Sequence, residues 1–407
     1  MTGPLEGLTV VDLTQMLAGP FASMLLADQG ARVIKIEPPG GDNTRRIGPH
    51  LPGALTMEQG GYGSYFASIN RNKESIVLDL KADEGRAVFT ALVAQADVVI
   101  ENYRAGVMER LGLGYEALAA LNPKLVVAAL RGFGDPRGGE SPYTNWPAYD
   151  PVAQAMGGIM GVTGPVPGGA PTKIGPGVGD IMPAMFLAYG IACAVWRAER
   201  TGEGQFVDIA MVDGVLAVTE RIVYQQSTTG VAPAPEGDGH PLLCPFGLFK
   251  AKDGFVSLGI PKDEFWRPFA KLIGQAELAD DPRYATNLER VARREEVNAL
   301  VTAFTVMRTK SELAEILGGT IPFGPVLRAD EIFADPHFRA RNMLVDVDVP
   351  GANRPLTVAG TPIKMSATQG GVRRRAPLTG EDTDTILTEL GYDAGARAAL
   401  RASKAVA

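Results

Sequence analysis

Short apolar runs alternate with helically spaced segments along the first 130 residues. Residues 8–13 read as a strand, 21–28 as a helix and 31–37 as a second strand, which together make one β-α-β unit. Further strands are expected at 75–80, 97–101 and 125–130, separated by helices at 83–94 and 115–121. This alternation predicts an α/β chain with a Rossmann-like, doubly wound parallel sheet, a class that binds ligands beyond the carboxyl ends of its strands. Those ends fall at Gln15 to Ala18, at Lys81, and at Asn102-Tyr103-Arg104.

From Gly132 to Gly179 the pattern dissolves into a stretch rich in Gly and Pro, with Trp146, Tyr149 and Asp150 among them, which reads as loops built around a site. A single carboxylate, Asp180, then stands between Gly175, Gly177 and Gly179 and a long apolar segment, 181–196. That segment reads as a buried helix, too short and too closely flanked by charge to span a bilayer. Asp180 reads as its N-cap, the role Asp commonly fills. A nucleophile would look the same, a carboxylate kept ionised by the helix dipole, with free N–H groups and Cβ-less glycines beside it for a developing oxyanion and a bulky ligand.

Beyond it, 206–211 reads as a strand, 213–226 as a helix, and 228–243 as a boundary broken by Pro233, Pro235, Gly237 and Gly239. Two strands are expected within 244–260 around Lys252-Asp253-Gly254, followed by helical, charged segments to 308. A strand at 344–349, a solvated loop carrying Arg373-Arg374-Arg375 and a helix from Asp382 close the chain. The expected organisation is a large domain over 1–225, a smaller α+β domain over 226–328, and a C-terminal segment, 329–407, returning to the large domain.

With 407 residues, 45% hydrophobic, and a formal charge of −7, the composition argues against general nucleic-acid binding. A polyanionic ligand would need a local cluster, for which Lys81, Arg104 and Arg110 are the candidates, although each alone reads as an ordinary surface charge. Cys193 and Cys244 have neither disulfide nor metal spacing, and the only histidines are His50, His240 and His337. The first residues lack an export signal, so the cytoplasm is expected. Glu37 ends the second strand where a ribose-binding acid sits in nicotinamide enzymes. The first turn, Thr14 to Phe21, holds one glycine and a proline where G-x-G-x-x-G would be required, which argues against that chemistry.

Several segments, in order and spacing, resemble the class III coenzyme A transferases of the CaiB/BaiF type, which include formyl-CoA:oxalate transferases, carnitine CoA-transferases and α-methylacyl-CoA racemases. They are residues 7–14, 17–20, 25–31, 33–42, 70–73 (Asn-Arg-Asn-Lys), 78–81, 101–103, 149–155, 202–205, 245–249 and 378–384. The resemblance implies that Asp180 is the catalytic residue. It implies that coenzyme A, present as acyl-CoA substrate with no metal, contacts Leu17, Ala18, Leu78, Lys81, Asn102, Tyr103, Arg104, Arg110 and Tyr149. It also implies an interlocked homodimer, with neither nucleic acid nor membrane as partner.

Departures shape the expected chemistry. Tyr103-Arg104-Ala105-Gly106 replaces the usual Phe-x-Pro-Gly, Pro38 and Pro147 stand where formyl-CoA transferases carry basic residues, and a glycine-rich lid shrinks to Gly237-Asp238-Gly239-His240. Some phosphate contacts therefore differ, and oxalate is not implied as acceptor. In the racemase branch a histidine precedes the aspartate found here as Asp150; Tyr149 takes its place, and a phenol of pKa near 10 is a poor proton carrier at neutral pH. The reading is thus a transferase moving CoA from an acyl-CoA, with succinyl-CoA as donor, to a short dicarboxylic or hydroxy acid. A racemase or a catalytically silent acyl-CoA-binding protein are the alternatives.

Overall fold

The computed structural model describes residues 3–407; Met1 and Thr2, with which the reading of the N-terminus begins, lie outside them. The chain divides into two compact units. One holds the segments up to Ile159, Gly175–Glu220 and Pro336–Ala407; the other holds Met160–Ile174 and Arg221–Asp335. The divisions thus fall at 220 and 335 rather than at 225 and 328. Glu220 adopts a left-handed φ of 50° and splits the expected helix 213–226 into Met211–Val218 and Arg221–Thr229. The segment Met160–Ile174, expected in the large domain, belongs to the second unit because its backbone pairs there: Gly168 N–H donates to the Pro235 carbonyl at 2.8 Å, and Pro167 bridges Glu236.

The main sheet of the first unit contains six strands, β1 (Thr9–Asp12), β2 (Arg32–Glu37), β3 (Lys73–Val77), β4 (Val98–Glu101), β5 (Val126–Arg131) and β6 (Phe206–Ala210). The unit's α-helices before residue 220 are α1 (Ala18–Asp28), α2 (Ser64–Ile69), α3 (Asp83–Val93), α4 (Val107–Arg110), α5 (Tyr115–Leu121), α6 (Asp150–Met156), α7 (Val178–Thr201) and α8 (Met211–Val218), and its C-terminal segment adds Pro336–Ala340, Thr383–Glu389 and Ala394–Ala402. All pairs in this sheet are parallel and the order is β3-β2-β1-β4-β5-β6, while Leu344–Val347 and Leu356–Ala359 form a separate antiparallel pair. Successive strand residues point to opposite faces, so Val11, Ile34, Ile76 and Val99 pack with Val88 and Phe89 of α3. Val10, Val33, Ile100 and Ala128 pack with α1 and α7 on the other face. Strand β3 begins two residues earlier than expected. Its expected end instead meets the C-terminus: Leu78 bridges Val406, and Asp79 N–H donates to the Ala405 carbonyl.

Helix α7 is longer than the apolar run suggested, and by length and composition alone it would suffice to cross a membrane. Only one stripe of it is buried: Gly179, Pro183, Ala184, Leu187, Ile191, Ala194 and Ala198, the spacing of a helix lying on a sheet. The opposite face, with Met185, Tyr189 and Trp196, is exposed, which corrects the expectation of a wholly buried helix. The arginine run is likewise no solvated loop. Arg373 donates to the Ala27 carbonyl, Arg374 pairs with Asp382 at 2.7 Å and Arg375 with Glu381 at 2.7 Å, tying this segment to the end of α1 and to the last helices.

The second unit carries an antiparallel sheet of β7 (Gly239–His240), β8 (Leu243–Ala251), β9 (Gly254–Gly259) and β10 (Phe323–Pro325), in the order β10-β9-β8-β7. Phe249, Val256 and Leu258 pack there against Trp266 and Phe269 of the following helix. The turn between β8 and β9 falls at Lys252-Asp253, as read from the sequence.

Beneath the carboxyl ends of β1 and β2, and reached by Lys73 from the start of β3, lies a polar core. Lys73 pairs with Asp12 at 3.0 Å, Lys35 with Asp42 at 2.8 Å and Arg45 with Glu37 at 2.5 Å, and all six side chains are essentially inaccessible to water. Burial alone would raise the Asp12 pKa, but Lys73 and Lys35, with Ser23 and Thr14 donating, hold it below the ordinary carboxylate range. Removing one partner of such a pair leaves the other charged in a dry site. Lys73→Met should therefore cost about 3–5 kcal/mol of stability in urea unfolding. Arg86→Ala, which breaks a pair with the almost fully exposed Asp83, should cost less than about 1 kcal/mol.

Candidate functional site

The strand order reverses between β1 and β4, and the crevice beyond their carboxyl ends is where doubly wound sheets bind ligands. Asn102, just after β4, spans it. Its side-chain N–H donates to the Gln15 carbonyl at 2.7 Å, and its carbonyl oxygen accepts from Gln15 N–H at 2.9 Å. The same loop is held from below by Lys35, whose ammonium donates to the Thr14 carbonyl at 2.7 Å, and by Asp12, which accepts from Thr14 N–H at 2.9 Å. Asn102, expected as a ligand contact, thus commits its amide to the backbone that forms the pocket wall.

A pocket of about 260 Å³ opens here. Of the residues named from the sequence, Asp180, Ala18, Asn102, Tyr103, Arg104 and Tyr149 line it. Leu78, Lys81 and Arg110 instead line a second cavity of about 490 Å³, with Pro38 and Pro39, and Tyr103 borders both. Leu17 borders neither; its side chain packs at the start of α7, where it would stand 3.0 Å from a Cβ placed on Gly177. Trp146 on the wall of the first pocket belongs to an aromatic group in which Tyr143 packs at a tilt against Phe133 and Trp146, with centroids 5.4 and 4.7 Å apart.

Asp180 is not the N-cap of α7. The cap position is Gly177 and Asp180 lies in the first turn. The helix start is satisfied from outside: Asp150, nine-tenths buried, accepts from Gly179 N–H at 2.9 Å and from the Gln154 amide at 2.8 Å. Val178 N–H donates to Pro176, and the N–H groups of Asp180 and Ile181 donate to Gly177. The donors that the sequence suggested would be free beside Asp180 are therefore engaged. The glycines also serve differently from expectation. A Cβ on Gly179 would stand 2.5 Å from the Asp150 carbonyl and 3.1 Å from Ala153 Cβ, so its bareness lets α7 dock on α6 rather than admitting a ligand.

The cations divide sharply. Arg131 lies in the first pocket but is neutralised by Glu101 and Asp135, and its Nε donates to the Tyr103 carbonyl at 3.1 Å. Arg104, Lys81 and Arg110 are exposed, and among the described residues their charged groups make no ion pair. One residue the sequence reading passed over is Tyr65 on α2. Burial, then the charges of Asp180 and Asp42, push its phenol up to about 12, so it remains a hydroxyl donor within reach of Asp180's field. Nothing in its local sequence marks it, because only the fold brings α2 toward the start of α7.

Fold and pocket together define a doubly wound α/β protein whose switch-point crevice is lined by the Asp180 carboxylate and whose first β-α turn lacks a glycine fingerprint. The family model described as CoA-transferase family III matches residues 5–383, and the chain belongs to that family. It is 45% identical to a succinyl-CoA:mesaconate CoA-transferase from Haloarcula hispanica, over 97% of this chain and 98% of that one. It is 41% identical to an acetyl-CoA:oxalate CoA-transferase from Acetobacter aceti, over 89% and 90%. Among solved structures it superimposes with a TM-score of 0.83 on a CAIB/BAIF family protein from Brucella suis, 36% identical, covering 96% of this chain and 100% of that one. The chain is accordingly an enzyme, a family III CoA-transferase.

Docking of α7 on α6 sets the position of Asp180, so Gly179→Ala should lower turnover on the order of 100-fold, the loss that a displacement near 1 Å brings about. Circular dichroism should remain that of the wild type. Turnover within about twofold of wild type would show that the docking does not control the carboxylate.

Proposed function

We propose that the enzyme transfers CoA from succinyl-CoA to a short dicarboxylic acid through covalent intermediates on Asp180. The observation that carries this reading is the half-buried Asp180 carboxylate in one switch-point pocket with Ala18, Arg104 and Tyr149, beside a second cavity bearing Lys81 and Arg110. The Haloarcula relative's name supports the donor, and the acceptors named for both relatives, mesaconate and oxalate, are dicarboxylic acids.

In this mechanism an Asp180 oxygen attacks the thioester carbon and the C–S bond breaks, giving a mixed anhydride and CoA thiolate. The thiolate then attacks the aspartyl carbonyl; the anhydride C–O bond breaks, the donor acid leaves as carboxylate, and an aspartyl-CoA thioester remains. The acceptor carboxylate attacks that thioester, releasing thiolate and forming a second anhydride, and thiolate attack on the acceptor's carbonyl restores Asp180. With the N–H groups of the α7 start engaged, the Tyr65 hydroxyl is the proposed donor toward the oxyanions formed at Asp180. CoA would lie along Leu78, Tyr103, Lys81 and Arg110, whose free cations suit its phosphates. The exposed apolar face of α7, with Met185, Phe186, Tyr189 and Trp196, supports association as a homodimer.

Incubation with succinyl-CoA and hydroxylamine should place a hydroxamate on the peptide containing Asp180, detected by peptide mass spectrometry and absent from Asp180→Asn. Failure to find any acyl-CoA-dependent adduct while CoA esters still bind would remove the covalent route. Lys81→Ala and Arg110→Ala should each raise KM for succinyl-CoA about tenfold with kcat little changed, the pattern of lost ground-state binding. A fall in kcat at constant KM would place these cations elsewhere in the reaction.

A further inference from the structure

We infer that Arg104 is the receptor for the distal carboxylate of the acyl group, and so the residue that makes the enzyme selective for dicarboxylic acids. The inference rests on the transferase reading above and departs from the CoA contact that family resemblance suggested for this residue. Tyr103 separates two cavities, and the cations fall on different sides of it: Lys81 and Arg110 line the cavity without Asp180, whereas Arg104 lines the one that contains it.

Among the described residues, two arginines line the Asp180 pocket, Arg104 and Arg131. Arg131 is closed off by two carboxylates and a carbonyl. The Arg104 guanidinium makes no hydrogen bond or ion pair among the described residues, so its donors are available to a ligand. Its backbone is nevertheless held: the Arg104 carbonyl accepts from Val107 N–H at 3.1 Å, and Arg131 grips the carbonyl of Tyr103.

A thioester bound with its reacting carbon at Asp180 keeps the rest of its acyl chain in this pocket. A second carboxylate there meets Asp180, which repels it, and Arg104, whose planar fork accepts a carboxylate with two parallel hydrogen bonds. An acyl chain ending in a methyl group would gain nothing from that fork. The chemistry recognised is therefore a dicarboxylic acid of a few carbons, as free acceptor and as CoA half-ester alike.

The test compares wild type with Arg104→Gln and Arg104→Lys, using succinyl-CoA as donor and isotopically labelled succinate, mesaconate or butyrate as acceptor, with free CoA binding followed by tryptophan fluorescence. Arg104→Gln should raise KM for succinate and mesaconate about 10- to 100-fold. It should raise KM for succinyl-CoA by a similar factor but leave kcat/KM for butyrate, which reports only the second half-reaction, and the Kd of free CoA within about twofold of wild type, and Arg104→Lys should recover part of the loss. Weakened CoA binding with an equal effect on every acceptor would make Arg104 a phosphate ligand and overturn the inference while the transferase reading stands. Unchanged kinetics throughout would overturn it too. A wild type that transfers CoA to no carboxylate would remove both.

Discussion

A helix start has few unpaired N–H groups, and a side chain that satisfies them is not available for chemistry. In this chain the constraint is met by Asp150, which accepts the Gly179 N–H from a neighbouring helix and is itself steadied by Gln154. Asp180 is thereby relieved of capping while remaining in the first turn, where the dipole favours its charge. The arrangement requires a glycine at 179, since any larger residue would strike the Asp150 backbone. The Gly-Asp pair thus divides into a docking residue and the residue proposed to react, and the position of the carboxylate depends on how two helices meet.

The opposite wall depends on a different set of contacts. Lys35, Asp12 and Asn102 hold Thr14 and Gln15 through their backbone groups, so the loop that faces Asp180 is positioned by side chains rooted in β1, β2 and the end of β4. Apolar residues of similar volume would stabilise this core as well or better, because desolvating three ion pairs costs nearly as much as their attraction returns. What the charged groups add is direction. A leucine at 35 would fill the space but would leave the Thr14 carbonyl without a donor, and Met16, held at a φ of 67° in the same loop, would lose its frame. The buried ions are best understood as contributors to the geometry of the pocket wall rather than to net stability.

Much of this was legible in the sequence because it is local. The β-α-β alternation marks the sheet, and the strand ends named from it, Gln15 to Ala18 and Asn102 to Arg104, border the pocket or hold its wall. Residues whose role depends on distant partners were less legible. Asp180 reads as a cap until Asp150, thirty positions earlier, is seen to do that work, and Arg373-Arg374-Arg375 read as solvated until the fold supplies Ala27, Asp382 and Glu381. Tyr65 carries no signal at all, since its nearness to Asp180 comes from the path of the chain around the sheet. The grouping of Lys81, Arg104 and Arg110 as one basic cluster failed for the same reason: Tyr103 divides them in space, although thirty positions of sequence give no hint of it.

That division matters because of the kind of reaction proposed. Each step exchanges one anion for another, a carboxylate for a thiolate or a thiolate for a carboxylate, and no proton need move. Among the described residues no histidine or lysine is found in the lining of the Asp180 pocket, and Tyr149, which stands where a racemase would need a proton carrier, is more than half exposed. Since the total charge in the pocket stays constant from step to step, cations need not titrate or swing to serve successive intermediates; they need only be placed. Neutralised Arg131 then holds the Tyr103 carbonyl, while unpaired Arg104 leaves the pocket one positive charge to balance a substrate carrying one more carboxylate than the chemistry itself consumes.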